Sequence, residues 1–278
     1  DAWNAKLATY TNADTAREFK RRTQYVKHWM ERPITSITLV EVEKLFKEIT
    51  DKGSPSMADG VLVDVRTVFN REIKRGLAMA NPARSIKKNA NPSDREHYTK
   101  KDVARMWSEW AQEANLQRAG ILRLMYLTGL RFGNARRIRL EHIDFDEHRI
   151  TIPKTKAGRR FFCPMSPEVE DVVREAMKHT WKDNPFLFPA ESKEGCLTVT
   201  DTYNHGLRHF YSTHAEIAIK NPVMVEILLD HTLPGMKRIY THPETIFPEL
   251  LEHQKTISKL LMSFTKEAAG VPSEAVLV

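Results

Sequence analysis

Two neighbouring segments dominate the interpretation of this chain: residues 204–211 read N-H-G-L-R-H-F-Y, and residues 228–242 read L-L-D-H-T-L-P-G-M-K-R-I-Y-T-H. Four of their residues are candidates for a reactive site: His205, Arg208, His231 and Tyr240. The pattern predicts a helix over 204–219. His205 and Arg208 share one face of it, because residues three apart are neighbours on a helix. The following segment would deliver His231 and Tyr240 from the next two helices.

Length and composition set the class of protein. The chain has 278 residues, of which 41% are hydrophobic and 28% are charged, which predicts an ordinary globular protein of one or two domains. No apolar run approaches the ~18 residues that a membrane span needs, and no signal peptide is visible. Two cysteines, Cys163 and Cys196, are too few for a disulfide scaffold and fit a reducing compartment. We therefore expect a protein of a reducing cytosol, without a membrane partner.

The positive charge is concentrated in the first third of the chain. Residues 1–88 hold 17 Lys and Arg against 11 Asp and Glu, whereas the remaining residues hold 26 against 25. A basic domain points to a polyanion such as nucleic acid, although a modest surplus also serves solubility alone.

Periodicity predicts a helical first domain over 1–88. Its helices cover about 15–30, a segment after the capping box at Thr38, and about 56–75, which is our candidate for a groove-facing helix. Residues 89–98 are polar and predict a linker. A capping-box pattern at Thr99 opens the second domain, over 99–262.

The second domain is also mainly helical, but it contains a predicted hairpin. Residues 149–153 and 159–165 alternate as strands around a Gly-containing loop. The fold class is therefore mainly α with a small antiparallel β-sheet. The amphipathic segment 249–262 either folds back onto its own domain or packs on a neighbour, and residues 263–278 are predicted to be a tail.

Several chemistries lack their sequence signals. His205 and His209 have the spacing of a helical zinc pair, but Gly206 stands where a metalloprotease needs Glu, and no third ligand is evident. Neither a P-loop nor a G-x-G-x-x-G motif occurs, and no carboxylate cluster suggests a two-metal nuclease. We therefore expect no metal and no cofactor.

What remains is a group of cations and one tyrosine that resembles a known family. The segments T-G-L-R-F-G-N (128–134), T-K-A-G-R-R (155–160), H-G-L-R-H and L-L-D-H…Y-T-H resemble, in order and spacing, the tyrosine recombinases of the phage integrase family. The resemblance is close over about 99–250, and residues 1–88 look like the helical core-binding domain of that family. It implies six catalytic residues: Arg131, Lys156, His205, Arg208, His231 and Tyr240.

The chain departs from the family pattern at three positions. Asn134 stands where an acidic residue usually orients the first arginine, Asp230 replaces the usual Gly before the second histidine, and Gly206 stands where Asp is frequent. The missing acid at Asn134 places the orienting contact of Arg131 in doubt rather than Arg131 itself. The family also often carries a small arm-binding domain at its N-terminus, of which no sign is seen here.

The resemblance implies a role for each of these residues. Arg131, Arg208 and His231 would hold the non-bridging oxygens of a DNA phosphate, Tyr240 would attack phosphorus, His205 would act as base and Lys156 as acid. The expected outcome is site-specific integration or excision of a phage or mobile element, without metal or ATP.

The resemblance also implies the partners, and two alternatives stay open. A homotetramer on two DNA duplexes is expected, each protomer clamping DNA between its two domains, and accessory DNA-bending proteins are a further candidate partner. A type IB topoisomerase would use the same chemistry to relax supercoils. A DNA-binding protein without catalysis is the other alternative.

Overall fold

The computed structural model describes residues 2–89, 98–155, 158–198, 204–232 and 243–267. The chain divides into two compact units, Asp1–Asp94 and Arg95–Val278. The described part is mainly helical with one small antiparallel sheet, which confirms the predicted fold class. Among the described helices, none is long and apolar enough to cross a bilayer.

The first unit is built around one long helix. Its elements are α1 (Ala2–Leu7), α2 (Ala13–Thr23), 3₁₀ turns at Gln24–Trp29 and Ile34–Ser36, α3 (Leu39–Asp51) and α4 (Pro55–Lys74). α4 packs against the other three α-helices and supplies much of the buried core of the unit. The candidate groove-facing helix is thus the central core helix, and only a narrow stripe of it, including Val63, Asn70 and Lys74, is exposed.

Local sequence explains where these helices begin and end. Thr38 and Glu41 form the predicted capping box at the start of α3. Gly76, with φ 72°, follows the last turn of α4, where a left-handed residue is common. The helix predicted over 15–30 is wrong in its second half, which is 3₁₀. Because a 3₁₀ helix has three residues per turn, Val26 and Trp29 still face the core together.

The second unit begins with α5 (Lys100–Ala111), α6 (Leu116–Thr128), α7 (Phe132–Ala135) and a 3₁₀ turn at Leu140–His142. The sheet follows, with strands β1 (Ile143–Asp144), β2 (Arg149–Ile152) and β3 (Phe161–Pro164) in the order β1-β2-β3. The predicted hairpin is confirmed as β2 and β3, with Ile150 opposite Cys163. β1 adds a short third strand.

The remaining helices enclose the core of the second unit: α8 (Pro167–Met177), α9 (Asn204–Ile219), α10 (Pro222–Leu228) and α11 (Pro243–Glu267). α6 is buried along most of its length, and α8, α9 and α11 pack around it. The core of the second unit is therefore centred on α6, and the helices α8, α9 and α11 are positioned by packing against it.

The last helix packs on its own unit, which is one of the two arrangements that the sequence left open. Gln254 of α11 is 1% exposed; it accepts a hydrogen bond from the Tyr211 hydroxyl (2.8 Å) and donates to the Leu127 carbonyl (2.8 Å). Phe264 is buried in the core cluster. The helix continues to Glu267, so residues 263–267 belong to it rather than to the tail predicted from residue 263.

Candidate active site

The turn between α6 and α7 places Arg131. Gly129 ends α6 with φ 63°, and a Cβ added there would lie 2.6 Å from the Tyr211 ring and 2.9 Å from the Leu229 side chain. Glycine is needed both for the left-handed backbone and for this close packing. The chain turns at Gly129, and Arg131 then occupies the N-cap of α7 with about a third of its side chain exposed.

Arg208 lies in the first half of α9 and is only 8% exposed. Its Nη1 donates a hydrogen bond to the Gly129 carbonyl (2.6 Å), and its Nη2 donates to the Leu229 carbonyl and to Nε2 of His231 (2.8 Å). This side chain therefore joins three elements: α9, the α6–α7 turn and the end of α10.

Among the described residues, the hydrogen-bond partners of Arg208 carry no full negative charge. Burial, and to a smaller extent the positive charge of Arg131, lower the pKa of Arg208 to about 10, against the opposing effect of Asp230. Burying a cation without a directly bonded anion is unfavourable. An anion that reaches this guanidinium would relieve the cost, so the geometry fits an anion-binding site.

His231 directly follows the end of α10. The backbone N–H of Asp230 donates to Ile227 (2.9 Å) and that of His231 to Glu226 (2.9 Å), which is a Schellman ending. The ring Nδ1 lies 2.7 Å from a carboxylate oxygen of Glu226. Because Nε2 accepts from Arg208, the partners assign a proton to Nδ1, which donates to Glu226. The Glu226 carboxylate thereby orients the imidazole, with Nε2 facing Arg208.

Asp230 is a buried acid at the centre of the cations. It is 4% exposed, and its φ is 52°, where glycine is usual. One carboxylate oxygen lies 2.8 Å from Nη2 of Arg159, and the other lies 3.8 Å from Nη1 of Arg131. Asp230, which stands where the family usually has Gly, thus pairs with Arg131. Arg131 is the arginine that lacks its usual acidic partner, because position 134 is Asn.

Arg159 is a residue that sequence reasoning missed. It precedes β3 and donates to the Thr232 hydroxyl (2.9 Å) and to the His231 carbonyl (3.3 Å), in addition to its ion pair with Asp230. The signal was present, because Arg159 lies in the T-K-A-G-R-R segment beside Lys156. An isolated arginine in a hairpin resembles any surface charge until its partner is known.

His205 lies one turn before Arg208 on α9, as predicted, but it is exposed. Its ring stacks on that of His209, with centroids 6.1 Å apart. No hydrogen bond joins it to Arg131, Arg208 or His231 within the described residues. In the same residues, no group of three or more His, Cys, Asp or Glu is arranged to hold a metal ion.

The structure explains why position 206 is glycine, which the sequence did not reveal. A Cβ at this position would lie 2.2 Å from the ring of Tyr98. Only glycine lets the Tyr98 ring pack this closely on the first turn of α9. The residue between His205 and Leu207 is therefore fixed by packing at the point where α9 begins.

Two of the predicted residues, Lys156 and Tyr240, lie outside the described residues. The flanks of Lys156 are described: Thr155 donates its N–H to the Arg159 carbonyl (2.9 Å), and Gly158 donates to the Thr155 carbonyl (2.9 Å). Tyr240 falls between Thr232 and the start of α11. The structure brings together Arg131, Arg208 and His231 from three separate parts of the chain.

Comparison with known families covers both units. Residues 1–89 match the phage integrase central domain, and residues 96–198 match the phage integrase family. The second match ends before α9, so the geometry of Arg208 and His231 is an observation separate from it.

Individual relatives agree with this assignment. The chain is 25% identical over 202 residues to a shufflon-specific DNA recombinase of Escherichia coli (68% of this chain, 52% of the relative). It is 23% identical over 257 residues to a tyrosine recombinase of Thermosipho africanus (82% and 88%). The chain thus spans about half the length of the first relative and most of the second.

Solved structures share the fold. The Tn1549 transposon integrase in complex with circular intermediate DNA has a TM-score of 0.65 at 16% identity (86% of this chain, 93% of that one). A lambda integrase tetramer bound to a Holliday junction has a TM-score of 0.67 at 12% identity (84% and 76%).

The family matches and the shared fold define the class of protein as an integrase-like protein. The chain belongs to the phage integrase family of tyrosine recombinases. The topoisomerase alternative is not favoured, because the matched families and relatives are integrases and recombinases.

Proposed function

We propose that this chain breaks and rejoins DNA at a specific site through a 3′-phosphotyrosyl intermediate, and so integrates or excises a phage or mobile element. The observation that carries the proposal is the convergence of Arg131, Arg208 and His231 from three elements, with a buried guanidinium at Arg208 that bonds directly to no anion in the part of the chain that the structure describes. A phosphodiester is an anion that would complete this site.

The charges account for the chemistry of cleavage. In the transition state of phosphoryl transfer, negative charge accumulates on the non-bridging oxygens. Arg131 and Arg208 would hold these oxygens, and His231 would add a hydrogen bond from Nε2 once that nitrogen is protonated. Because the two arginines come from different elements, they would orient the phosphate as well as balance its negative charge.

The covalent step is an exchange of ester bonds. The Tyr240 oxygen would attack phosphorus and form a phosphotyrosyl bond, while the bond from phosphorus to the 5′-oxygen breaks. A free phenol has a pKa of about 10, so attack at neutral pH needs a base, for which His205 is the candidate. Lys156 would give a proton to the departing 5′-oxygen, which leaves as a hydroxyl.

The reverse of this step rejoins DNA. A 5′-hydroxyl from another strand can attack the phosphotyrosyl bond and release Tyr240, which conserves the energy of the broken bond. We therefore propose that neither ATP nor a metal ion is required.

The proposed partners follow from the relatives. Double-stranded DNA is the substrate, and a homotetramer on two duplexes would exchange strands, in line with the lambda integrase tetramer bound to a Holliday junction. Accessory DNA-bending proteins are a further candidate partner. DNA as substrate also places the protein in the bacterial cytoplasm or nucleoid.

A nicked suicide DNA substrate tests the proposal. Wild-type protein should form a covalent protein–DNA adduct on a denaturing gel, with or without EDTA. Tyr240→Phe should abolish the adduct, and the matched control Tyr25→Phe, an exposed tyrosine of the first unit, should not. Specific DNA binding without an adduct in wild type would instead identify a binding protein without catalysis.

A further inference from the structure

The end of α10 has an unexpected residue in an unfavourable backbone conformation. Asp230 has φ 52° at the position that follows the helix C-cap, where glycine adopts the left-handed conformation far more readily than any residue with a Cβ. The backbone alone would favour glycine here. The side chain of Asp230 must therefore contribute something that offsets this preference.

The carboxylate of Asp230 is buried among cations. The residue is 4% exposed, and its two oxygens approach Arg159 (2.8 Å) and Arg131 (3.8 Å). Neither oxygen accepts a hydrogen bond of good geometry within the described residues, so the ion pairs are what compensates the buried charge there. One acid thus bridges two guanidinium groups from different elements.

The bridge connects parts of the chain that carry the proposed chemistry. Arg131 comes from the α6–α7 turn, and Arg159 comes from the hairpin whose loop includes Lys156. Arg159 also donates to the His231 carbonyl and to the Thr232 hydroxyl. The Asp230–Arg159 pair therefore attaches the hairpin to the segment 230–232, which contains His231 and leads towards Tyr240.

We propose that Asp230 and Arg159 form a positioning pair for DNA cleavage. Asp230 holds the guanidinium of Arg131 in the orientation that receives the phosphate. Arg159 uses Asp230 as its anchor and keeps the hairpin against residues 230–232. Neither residue takes part in bond making. This inference rests on the proposed cleavage reaction, and it adds two residues to the set that the sequence predicted.

Glycine at position 230 separates positioning from folding. Asp230→Gly removes the carboxylate, and glycine adopts the left-handed backbone conformation at this position without strain. The melting temperature of this variant should therefore equal or exceed that of wild type. We expect its affinity for DNA to be unchanged or higher, because an acid next to the cations is gone. The rate of adduct formation at saturating suicide DNA should fall by about 10- to 100-fold, as when residues that orient a metal-ligand histidine are removed.

Lys220 supplies the matched control. It is an exposed residue with the same φ of 52° at the end of α9. Lys220→Gly should raise the melting temperature in the same way and leave the rate of adduct formation at the wild-type value. Asp230→Asn, which removes the charge at nearly constant volume, should reproduce the loss of rate if the glycine variant folds poorly.

A double variant tests the pairing itself. Arg159→Ala should lower both the rate and the melting temperature, because it leaves Asp230 buried without its nearest cation. Adding Asp230→Gly should restore the melting temperature but not the rate. If wild type forms the adduct and Asp230→Gly forms it equally fast, the positioning role is refuted while the proposed function stands. If wild type binds its DNA site without forming an adduct, the proposed function fails and the positioning role fails with it.

Discussion

At the scale of single residues, the buried cation of Arg208 has a thermodynamic consequence. The pKa of Arg208 in the folded state, about 10, lies below its ordinary value, so the charged form costs stability at neutral pH, and only above about pH 10 would deprotonation relieve that cost. A bound anion would relieve it at neutral pH. We predict that sulfate stabilises the folded protein through this site, by about 1.4 kcal/mol at ten times its Kd.

Thermal melting at pH 7.5 checks this, with sulfate compared with chloride at equal ionic strength. Sulfate also stabilises proteins in general through exclusion from their surface, so the control is Arg131→Met, which removes one half of the proposed clamp. The rise in melting temperature in sulfate relative to chloride should be larger in wild type than in Arg131→Met. Equal shifts in the two proteins would show that the site does not bind the anion.

Glu226 has a separate role in positioning His231. Its carboxylate lies 2.7 Å from Nδ1, where it accepts the Nδ1 hydrogen and holds the ring with Nε2 towards Arg208. Glu226→Gln keeps the shape and removes the charge, so we predict an adduct rate about tenfold lower at saturating DNA, which is about 1.4 kcal/mol in the barrier. The control is Glu216→Gln, which changes an exposed acid on α9. If the two variants formed the adduct at the same rate, this role of Glu226 would be excluded.

Sequence reasoning and structure can be compared residue by residue at the site. Arg131, Arg208 and His231 were chosen from spacing and resemblance, and the structure brings them together. Asp230 was noticed only as a departure, and Arg159 was not chosen. Their importance depends on a contact between residues far apart in the chain, which no local pattern encodes. His205 lies on the predicted helix, but its role as base stays a prediction.

At the scale of elements, the α6–α7 turn controls two of the three converging side chains. Gly129 needs a left-handed backbone, contacts Tyr211 and Leu229, and offers its carbonyl to Arg208. We predict that Gly129→Ala lowers the free energy of unfolding by at least about 2 kcal/mol, since an overpacked core and the positive φ both oppose the methyl group. It should also abolish adduct formation, because Arg131 and Arg208 would both move.

Gly133 in α7 is the control for this change. Apart from its chain neighbours and the backbone of its own helix, no atom of the described residues lies within 4 Å of the place where its Cβ would be. Gly133→Ala should therefore be neutral, or stabilising by up to about 1 kcal/mol through helix propensity. Denaturant unfolding of both variants measures the difference. A Gly129→Ala protein as stable and active as Gly133→Ala would mean that the turn adapts.

Elements were predictable where a local signal defines them. The capping boxes at Thr38 and Thr99 both begin helices as predicted. Failures occurred where tertiary packing decides. The apolar spacing at residues 24–29 fits both an α-helix and a 3₁₀ helix, and the continuation of α11 to Glu267 depends on the core that buries Phe264.

At the scale of the whole molecule, the charge distribution assigns different work to the two units. The first unit holds nearly all of the net positive charge, and the second holds the converging arginines. On α2 and the 3₁₀ turn after it, Phe19 and Val26 face the core while Lys20 and Lys27 are exposed. We expect these lysines to contact DNA phosphates without contributing to the cleavage step.

The salt dependence of DNA binding tests this division. Each phosphate contact contributes about 0.9 to the slope of log K against log salt concentration. Lys20→Gln combined with Lys27→Gln should therefore reduce the slope by about 2 if both lysines contact phosphates, while the adduct rate at saturating DNA stays at the wild-type value. Lys182→Gln, an exposed lysine of the second unit, is a single-charge control with no expected change of slope. If the double variant kept the wild-type slope, this face of the first unit would not be the DNA-binding face. If its adduct rate fell at saturating DNA, the two units would not be separable in function, since a contact that supplies only affinity cannot alter the chemical step once DNA is bound.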